Sequence, residues 1–306
     1  MEIHQFKSLV NQINDLSYAQ LKKLRNSVED RISSDSVGQV IAEKEDDTFI
    51  CSHCDSVDIS RWGRTRQGVQ RFRCKACRKT FNALANTGMY RMRRPDKWIK
   101  YTEMMWDGIS FRESAARLDI NFRTAFRWRH AFLKLPTNRA IKELSGIVEA
   151  DETFVKESFK GSRKINRAAR KRGGGQCKLT PIVIALNRSG DITERVLKRN
   201  TKEEIQGFIK PLLTDGSVLC TDGNLSYKGL DEDLNILHKR LVASDNQRVE
   251  DGIYHIQTLN NYIMNWKSWL IKFRGVSTKY LPHYLGWYRF MLQNDQLEQT
   301  WIRSSV

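Results

Sequence analysis

The sequence predicts an α/β domain built on a mixed sheet and preceded by two small modules, one stapled by cysteines and one helical. Three observations carry this prediction. From about Gly146 onward, short β-rich runs alternate with helical ones, the pattern of a sheet with covering helices. Upstream, Cys51-Ser-His-Cys54 and Cys74-Lys-Ala-Cys77 form two CxxC pairs separated by 19 residues. Between these regions, residues 95–135 read as three helices.

The chain has 306 residues, with 52 Lys plus Arg against 35 Asp plus Glu, a formal charge of +17. Such an excess favours a polyanionic partner over an acidic small molecule or an anionic membrane. At ~100–200 residues per domain the length suggests two domains or one with appendages, and 40% hydrophobic residues suffice for a core. No stretch approaches the ~20 consecutive apolar residues of a membrane span. The first residues, MEIHQFKSLVNQINDL, lack the basic-then-apolar order of a secretory leader.

Residues 3–32 carry Phe6, Leu9, Val10, Ile13, Leu16, Leu21, Leu24 and Val28 at helical spacing, with Ser17 as an N-cap dividing two helices. The apolar stripe of this arm packs on its own protein or forms a dimerisation face. Residues 33–47 are polar and acidic and read as a linker, so 1–47 is expected to be a helical arm and linker.

Six cysteines are too few for a disulfide scaffold, and two CxxC pairs at this separation match a tetrahedral zinc site in a reducing compartment. Residues 48–88 are therefore expected to be a zinc ribbon with Cys51, Cys54, Cys74 and Cys77 as ligands. A closed four-thiolate shell leaves no open position, which makes the zinc structural. His53 is expected to be an exposed knuckle residue. From Arg61 to Arg94 there are eleven basic residues and no acidic one, and on a metal-stapled module this favours phosphate contact, with Arg64, Arg66 and Arg71 as candidates.

Within residues 89–140, Ser110-Phe-Arg-Glu113 is a capping-box pattern, and Asp119-Ile-Asn121 forms a short turn before Phe122-Arg-Thr-Ala-Phe-Arg-Trp-Arg-His130. Helix, short turn, helix is the plan of a helix-turn-helix. Asn121 can cap the second helix. A recognition helix needs long donors on its outer face, and Arg123, Thr124, Arg127 and Arg129 supply them, with Phe122, Phe126 and His130 turned towards the core.

For residues 141–306, strands are expected at Ile147–Val155, Pro181–Leu186, Ile192–Val196, Ser217–Cys220 and Leu234–Val242. Helices are expected at Lys202–Leu213 and about Thr258–Lys272. Asp151 lies within an apolar β run and Asp222 where another ends. An Asp in a buried strand is costly without a partner or cation. Two on neighbouring strands can hold divalent ions for phosphoryl transfer.

The order of ribbon, helix-turn-helix, Asp151-Glu-Thr, Thr-Asp222-Gly, and finally His255-Ile-Gln-Thr-Leu-Asn260-Asn-Tyr-Ile-Met-Asn-Trp-Lys267 followed by Phe273-Arg-Gly-Val-Ser-Thr-Lys279 resembles bacterial insertion-sequence DDE-type transposases. More narrowly it resembles the ISXO-like branch, in which the third catalytic position is often Asn with a downstream Lys. The resemblance implies a ribonuclease H-like catalytic domain with Asp151, Asp222 and Asn260 as the triad, Mg²⁺ or Mn²⁺ on Asp151 and Asp222, and Lys267 on a phosphate of the element end. Lys267 follows Asn260 by seven positions, about two helical turns, which puts both on one helix face. Asn261, Glu250 and Asp251 are the alternatives for the third position. Glu152 points to the other sheet face by period-two alternation.

Between the first two strands, Lys160 to Gly175 carries seven basic residues and no acidic one, including Arg163, Lys164 and Arg170, and reads as a DNA-tracking loop. The resulting expectation is a cytoplasmic, nucleoid-associated transposase that binds the terminal repeats and target as double-stranded DNA. It would cut and join strands and act as a homodimer or higher assembly. The alternative is a non-catalytic DNA-binding protein, a regulator or an inactive remnant, for which Asn260 in place of a carboxylate is the one favouring feature.

Overall fold

The computed structural model describes residues 3–136, 141–162, 178–242 and 248–293. The chain divides into two compact units: Met1–Asp107 with Ser114–Thr124, and Gly108–Glu113 with Ala125–Asp295.

In the first unit, helix α1 (Ile3–Gln12) is followed by α2 (Tyr18–Asp46). Ser17 caps α2 in a full capping box with Gln20, as the sequence suggests. The expected linker is absent, because α2 runs on to Asp46. Ala, Gln, Glu and Lys in this stretch are good helix formers, and Val37, Val40 and Ile41 are buried, so packing stabilises what polarity alone reads as a loop. Lys100 of α3 (Trp98–Trp106) ties α2 down through Glu29 at 3.3 Å and Asp30 at 2.9 Å.

Strands β1 (Ile59–Arg64), β2 (Gln70–Cys74) and β3 (Thr80–Asn82) form an antiparallel three-stranded sheet in the order β1-β2-β3. Its small core is Phe72 stacked on Phe81 at 5.7 Å together with Cys51 and Cys74. Helices α4 (Phe111–Arg117) and α5 (Phe122–Lys134) carry the chain from one unit to the other. Ser110 Oγ accepts from the Glu113 N–H at 3.3 Å, and Asn121 Oδ1 from the Arg123 N–H at 2.9 Å, so both expected caps form.

The second unit holds a five-stranded sheet in the order β6-β5-β4-β7-β8, with β4 (Ile147–Lys156), β5 (Leu179–Asn187), β6 (Ile192–Val196), β7 (Val218–Thr221) and β8 (Leu237–Arg240). The first three strands are antiparallel hairpin neighbours, and β7 and β8 are parallel to β4. Helices α6 (Lys202–Ile209) and α7 (Leu230–Asp233) precede the two parallel strands. A central first strand with this order and these directions is the ribonuclease H-like arrangement. The last strand is shorter than the expected Leu234–Val242, and at its start Leu234 is taken up as the C-cap of α7.

Period-two alternation sorts β4 between two faces. Val148 and Ala150 join Val183, Ala185, Leu219 and the α6 residues Ile205, Phe208 and Ile209 in one core. Each Val, Leu, Ile or Phe among them, taken out of water, contributes ~1.5–3 kcal/mol. The other face, which carries Glu149 and Asp151, packs against α8 (Gln257–Ile271), while α9 (Leu281–Gln293) covers β6. In α8 the buried stripe is Leu259, Tyr262, Ile263, Trp266 and Trp269, the i, i+3, i+4, i+7 pattern of a helix lying on a sheet. Among the described residues no helix is long and apolar enough to cross a membrane.

Candidate active site and metal centre

The two CxxC knuckles bring four sulfurs together. Cys51 Sγ lies 3.7 Å from Cys77 Sγ, Cys54 Sγ lies 3.6 Å from Cys74 Sγ, and all four lie within 4.8 Å of one another. A tetrahedral shell with Zn–S bonds of ~2.3 Å sets its sulfurs ~3.8 Å apart, so the set fits a structural zinc ion. Knuckle N–H groups already point at the sulfurs, His53 N to Cys51 and Cys77 N to Cys74, both at 3.4 Å. The Cys77 N–H lowers Cys74 to about 6. Cys54 is pushed up to about 12, because burial and the three neighbouring thiols outweigh the Ser56 N–H. One thiol ionises readily and its neighbour resists, and a bound dication would favour the thiolate of both. His53 is exposed, as expected, its ring edge-on to Phe81.

In the second unit, the parallel register pairs Ile147 with Val218, Val148 with Leu219 and Glu149 with Cys220. Two steps further it sets Asp222, the first residue past β7, across from Asp151. Asp222 is exposed at the strand end, whereas Asp151 is largely buried and accepts from the Glu152 N–H at 2.7 Å. Burial and the Asp222 charge push Asp151 up to about 7, while the Lys267 ammonium pulls it down. The geometry therefore gathers Asp151, Asp222 and Lys267. A desolvated carboxylate that resists ionising beside a second, exposed one is a donor set suited to a divalent cation, which would favour the charged form of Asp151.

Asn260 is exposed on α8 and shares with Lys267 the flank of the helix beside its buried stripe. Asn261 lies on the outer flank, where its Oδ1 accepts from Asn265 Nδ2 at 3.1 Å. Glu250 and Asp251 both pair with Lys239, at 2.6 and 3.7 Å. Of the candidates for the third position, Asn260 alone shares the Lys267 flank.

Glu152 lies on the opposite sheet face, where Asn224 Nδ2 donates to its Oε2 at 3.0 Å. The Asn224 N–H in turn donates to Asp222 Oδ1 at 3.0 Å, so Glu152 steadies the loop that presents Asp222. Burial raises Glu152, and the Tyr227 hydroxyl beside it opposes the rise. Glu152 Oε1 and Tyr227 Oη nonetheless fall short of hydrogen-bond geometry and are buried without a partner. Gly223, at φ +87°, makes the turn possible: a Cβ there would meet Val242 Cγ2 at 2.8 Å.

The sequence reading of α5 needs two corrections. Arg129 is 2% exposed, donates to the Ile109 carbonyl and sits over the Phe273 ring, so it belongs to the core and not to a DNA-facing surface. Phe122 and Phe126 are exposed at 51% and 39%, so they are not core residues. Arg123 and Arg127 are exposed and Thr124 is half-buried. On the ribbon, Arg66 is exposed, Arg64 faces Glu45 at 3.8 Å, and Arg71 Nε donates to the Trp62 carbonyl at 3.3 Å. Arg163, Lys164 and Arg170 lie outside the described residues.

Glu149 went unnoticed in the sequence. It is fully buried, pairs with Arg188 at 2.9 Å and accepts from the Leu259 N–H at 2.8 Å. The available signal was a Glu two positions before Asp151, inside the same apolar run.

A ribonuclease H-like sheet with carboxylates on its first and fourth strands defines the class of the DDE-type nucleases and transposases. The model of the ISXO2-like transposase domain matches residues 143–293. The uncharacterized protein of transposable element ISH50 from Halobacterium salinarum is 29% identical over 245 residues, covering 77% of this chain and 82% of that protein. Insertion element iso-IS1N protein InsA of Shigella dysenteriae is 34% identical over 77 residues, covering 25% of this chain and 82% of that protein. A chain of the simian T-cell lymphotropic virus intasome in complex with PP2A regulatory subunit B56 gamma aligns at a TM-score of 0.32 and 10% identity, covering 64% of this chain and 69% of that one. The chain belongs to the insertion-sequence DDE-type transposases of the ISXO2-like family.

Proposed function

We propose that the protein is a DNA transposase that binds the terminal repeats of its insertion sequence and catalyses metal-dependent cleavage and strand transfer. The observation that carries this reading is the parallel register of β4 and β7, which ends at Glu149 with Cys220 and leads towards Asp151 and Asp222, with Lys267 near enough to lower Asp151. Asp151 and Asp222 would hold Mg²⁺ or Mn²⁺, with the Asn260 amide as a neutral oxygen ligand. Bound there, the ion supplies Lewis-acid activation of the attacking oxygen and neutralises charge on the phosphate. Lys267 holds a phosphate oxygen as a point charge and orients the scissile bond for in-line attack. Glu152 and Asn224 keep the Asp222 loop in place.

The four cysteines hold structural zinc, and the ribbon (48–88) and helical pair (89–140) bind DNA ahead of the catalytic domain (141–306). Arg64, Arg66, Arg71, Arg123, Thr124 and Arg127 are the contact residues on these modules, and Arg163, Lys164 and Arg170 those of the basic loop. Two element ends require at least a homodimer on DNA, and the protein works on the nucleoid.

The test incubates the zinc-loaded protein with DNA flanking its own gene and a supercoiled target, in Mg²⁺ or Mn²⁺, with Asp222→Ala as control. Joined products absent from the control are expected. Tight binding to the flanks without cleavage in either metal would select the non-catalytic alternative.

A further inference from the structure

Helix α8 begins without a capping side chain, because Ile256 stands at its N-cap position. Its first-turn N–H groups need acceptors all the same. Glu149 supplies one from 110 positions upstream: its Oε2 accepts from the Leu259 N–H at 2.8 Å. His255 Nδ1 supplies another, accepting from the Gln257 N–H at 3.2 Å. The Glu149 carboxylate thus sits, fully buried, at the positive end of the helix dipole.

Arg188, just past β5, compensates that charge. Its Nη2 lies 2.9 Å from Glu149 Oε1 and donates to the Ile253 carbonyl at 3.1 Å, while Nη1 donates to Thr258 Oγ1 at 2.9 Å. One guanidinium therefore holds the sheet, the segment leading into α8 and the helix's first turn. Glu149 and Asp151 share a face of β4, and Leu259 is the neighbour of Asn260.

From this arrangement we infer that Glu149 and Arg188 are positioning residues. They clamp α8 to the strand bearing Asp151 and so set where Asn260 and Lys267 stand relative to the carboxylate pair. The inference rests on the transposase reading for its effect on rate, but not for its effect on the helix. A displacement of about 1 Å at such a site lowers the rate about 100-fold.

The test uses the full, zinc-loaded chain as Glu149→Ala and Glu149→Gln. Hydrogen exchange is followed over residues 257–262 and over β4–β5, alongside end binding and single-turnover cleavage of the element end. Glu149→Ala should speed exchange in the first turn of α8, leave β4–β5 protected, keep end affinity within twofold, and slow cleavage about 100-fold. Glu149→Gln keeps an acceptor for Leu259 but removes the carboxylate charge that faces Arg188, so it should recover part of both, with cleavage down about tenfold. Unchanged exchange at 257–262 in Glu149→Ala would overturn the clamp. So would unchanged cleavage. If Glu149→Ala unfolds, Glu149→Gln decides by the same two readouts. Should the wild type itself fail to cleave, the transposase reading falls, and the exchange comparison still decides the clamp.

Discussion

The four cysteines and the two aspartates are both candidate ligand sets, yet they are assembled in opposite ways. Each cysteine pair is made by a knuckle of four residues, with backbone N–H groups on its sulfurs. Asp151 lies on β4 and Asp222 just past β7, two strands that meet only through their parallel register. Beside the cysteines lies only a small core of Phe72 and Phe81, whereas the aspartates ride on a larger core of Val148, Ala150, Leu219 and the α6 side chains. Removing an ion should therefore unfold the first and only silence the second.

The sharpest way to break this comparison is Cys74→Ser. Structural zinc contributes on the order of 10 kcal/mol to the fold of a small module. The variant should lose its zinc, measured per chain by metal analysis, and its specific end binding, while the thermal unfolding of the sheet domain persists. End binding retained without zinc would end the idea that the ribbon is metal-built.

Asp151→Ala should abolish joining, by ~10³-fold or more, because several kcal/mol of charge stabilisation are lost with the ion. Its end binding should match wild type in a gel-shift titration. Loss of binding in a folded variant would mean that recognition and chemistry are not separable.

On α5 the contrast lies between neighbours. Arg127→Ala should weaken end binding and reduce the slope of log affinity against log salt by ~1. Arg129→Ala should instead cost ~1–3 kcal/mol of stability, since it strips a buried arginine from the Ile109 carbonyl, and leave the salt slope unchanged.

A further contrast is in pH. Asp151 is raised from 3.8 to about 7 in the folded, metal-free protein, so the folded state holds its proton more tightly than the unfolded one. The stability this contributes is full below about pH 4 and is lost as pH rises to about 7. Thermal melts without added Mg²⁺ should show that decline, and Asp151→Asn should flatten it.

What the sequence made legible was local. Ser17, Ser110 and Asn121 cap the helices they precede, and Ile192–Val196 is a strand as read. Asp151 was found because a charge interrupts an apolar run. The misreadings occurred where distant packing decides. Residues 33–46 look like a linker until Val37, Val40 and Ile41 are seen to be buried, and Arg129 looks like a DNA contact until Phe273, far along the chain, covers it. Glu149 stayed hidden for the same reason, because its acceptor role is defined by an N–H on α8.

The bond between Glu149 and Leu259 leaves two segments of chain under opposite constraints. The long stretch between these partners includes loops, outside the β5–β6 turn that carries Arg188, whose length the bond does not set. The single residue Ala150 cannot be spared or doubled. Strand side chains alternate, so deleting or duplicating Ala150 would send Glu149 and Asp151 to opposite sides of the sheet. Descendants of this chain are free to drift in the length of their loops, but the parity of that tripeptide is fixed.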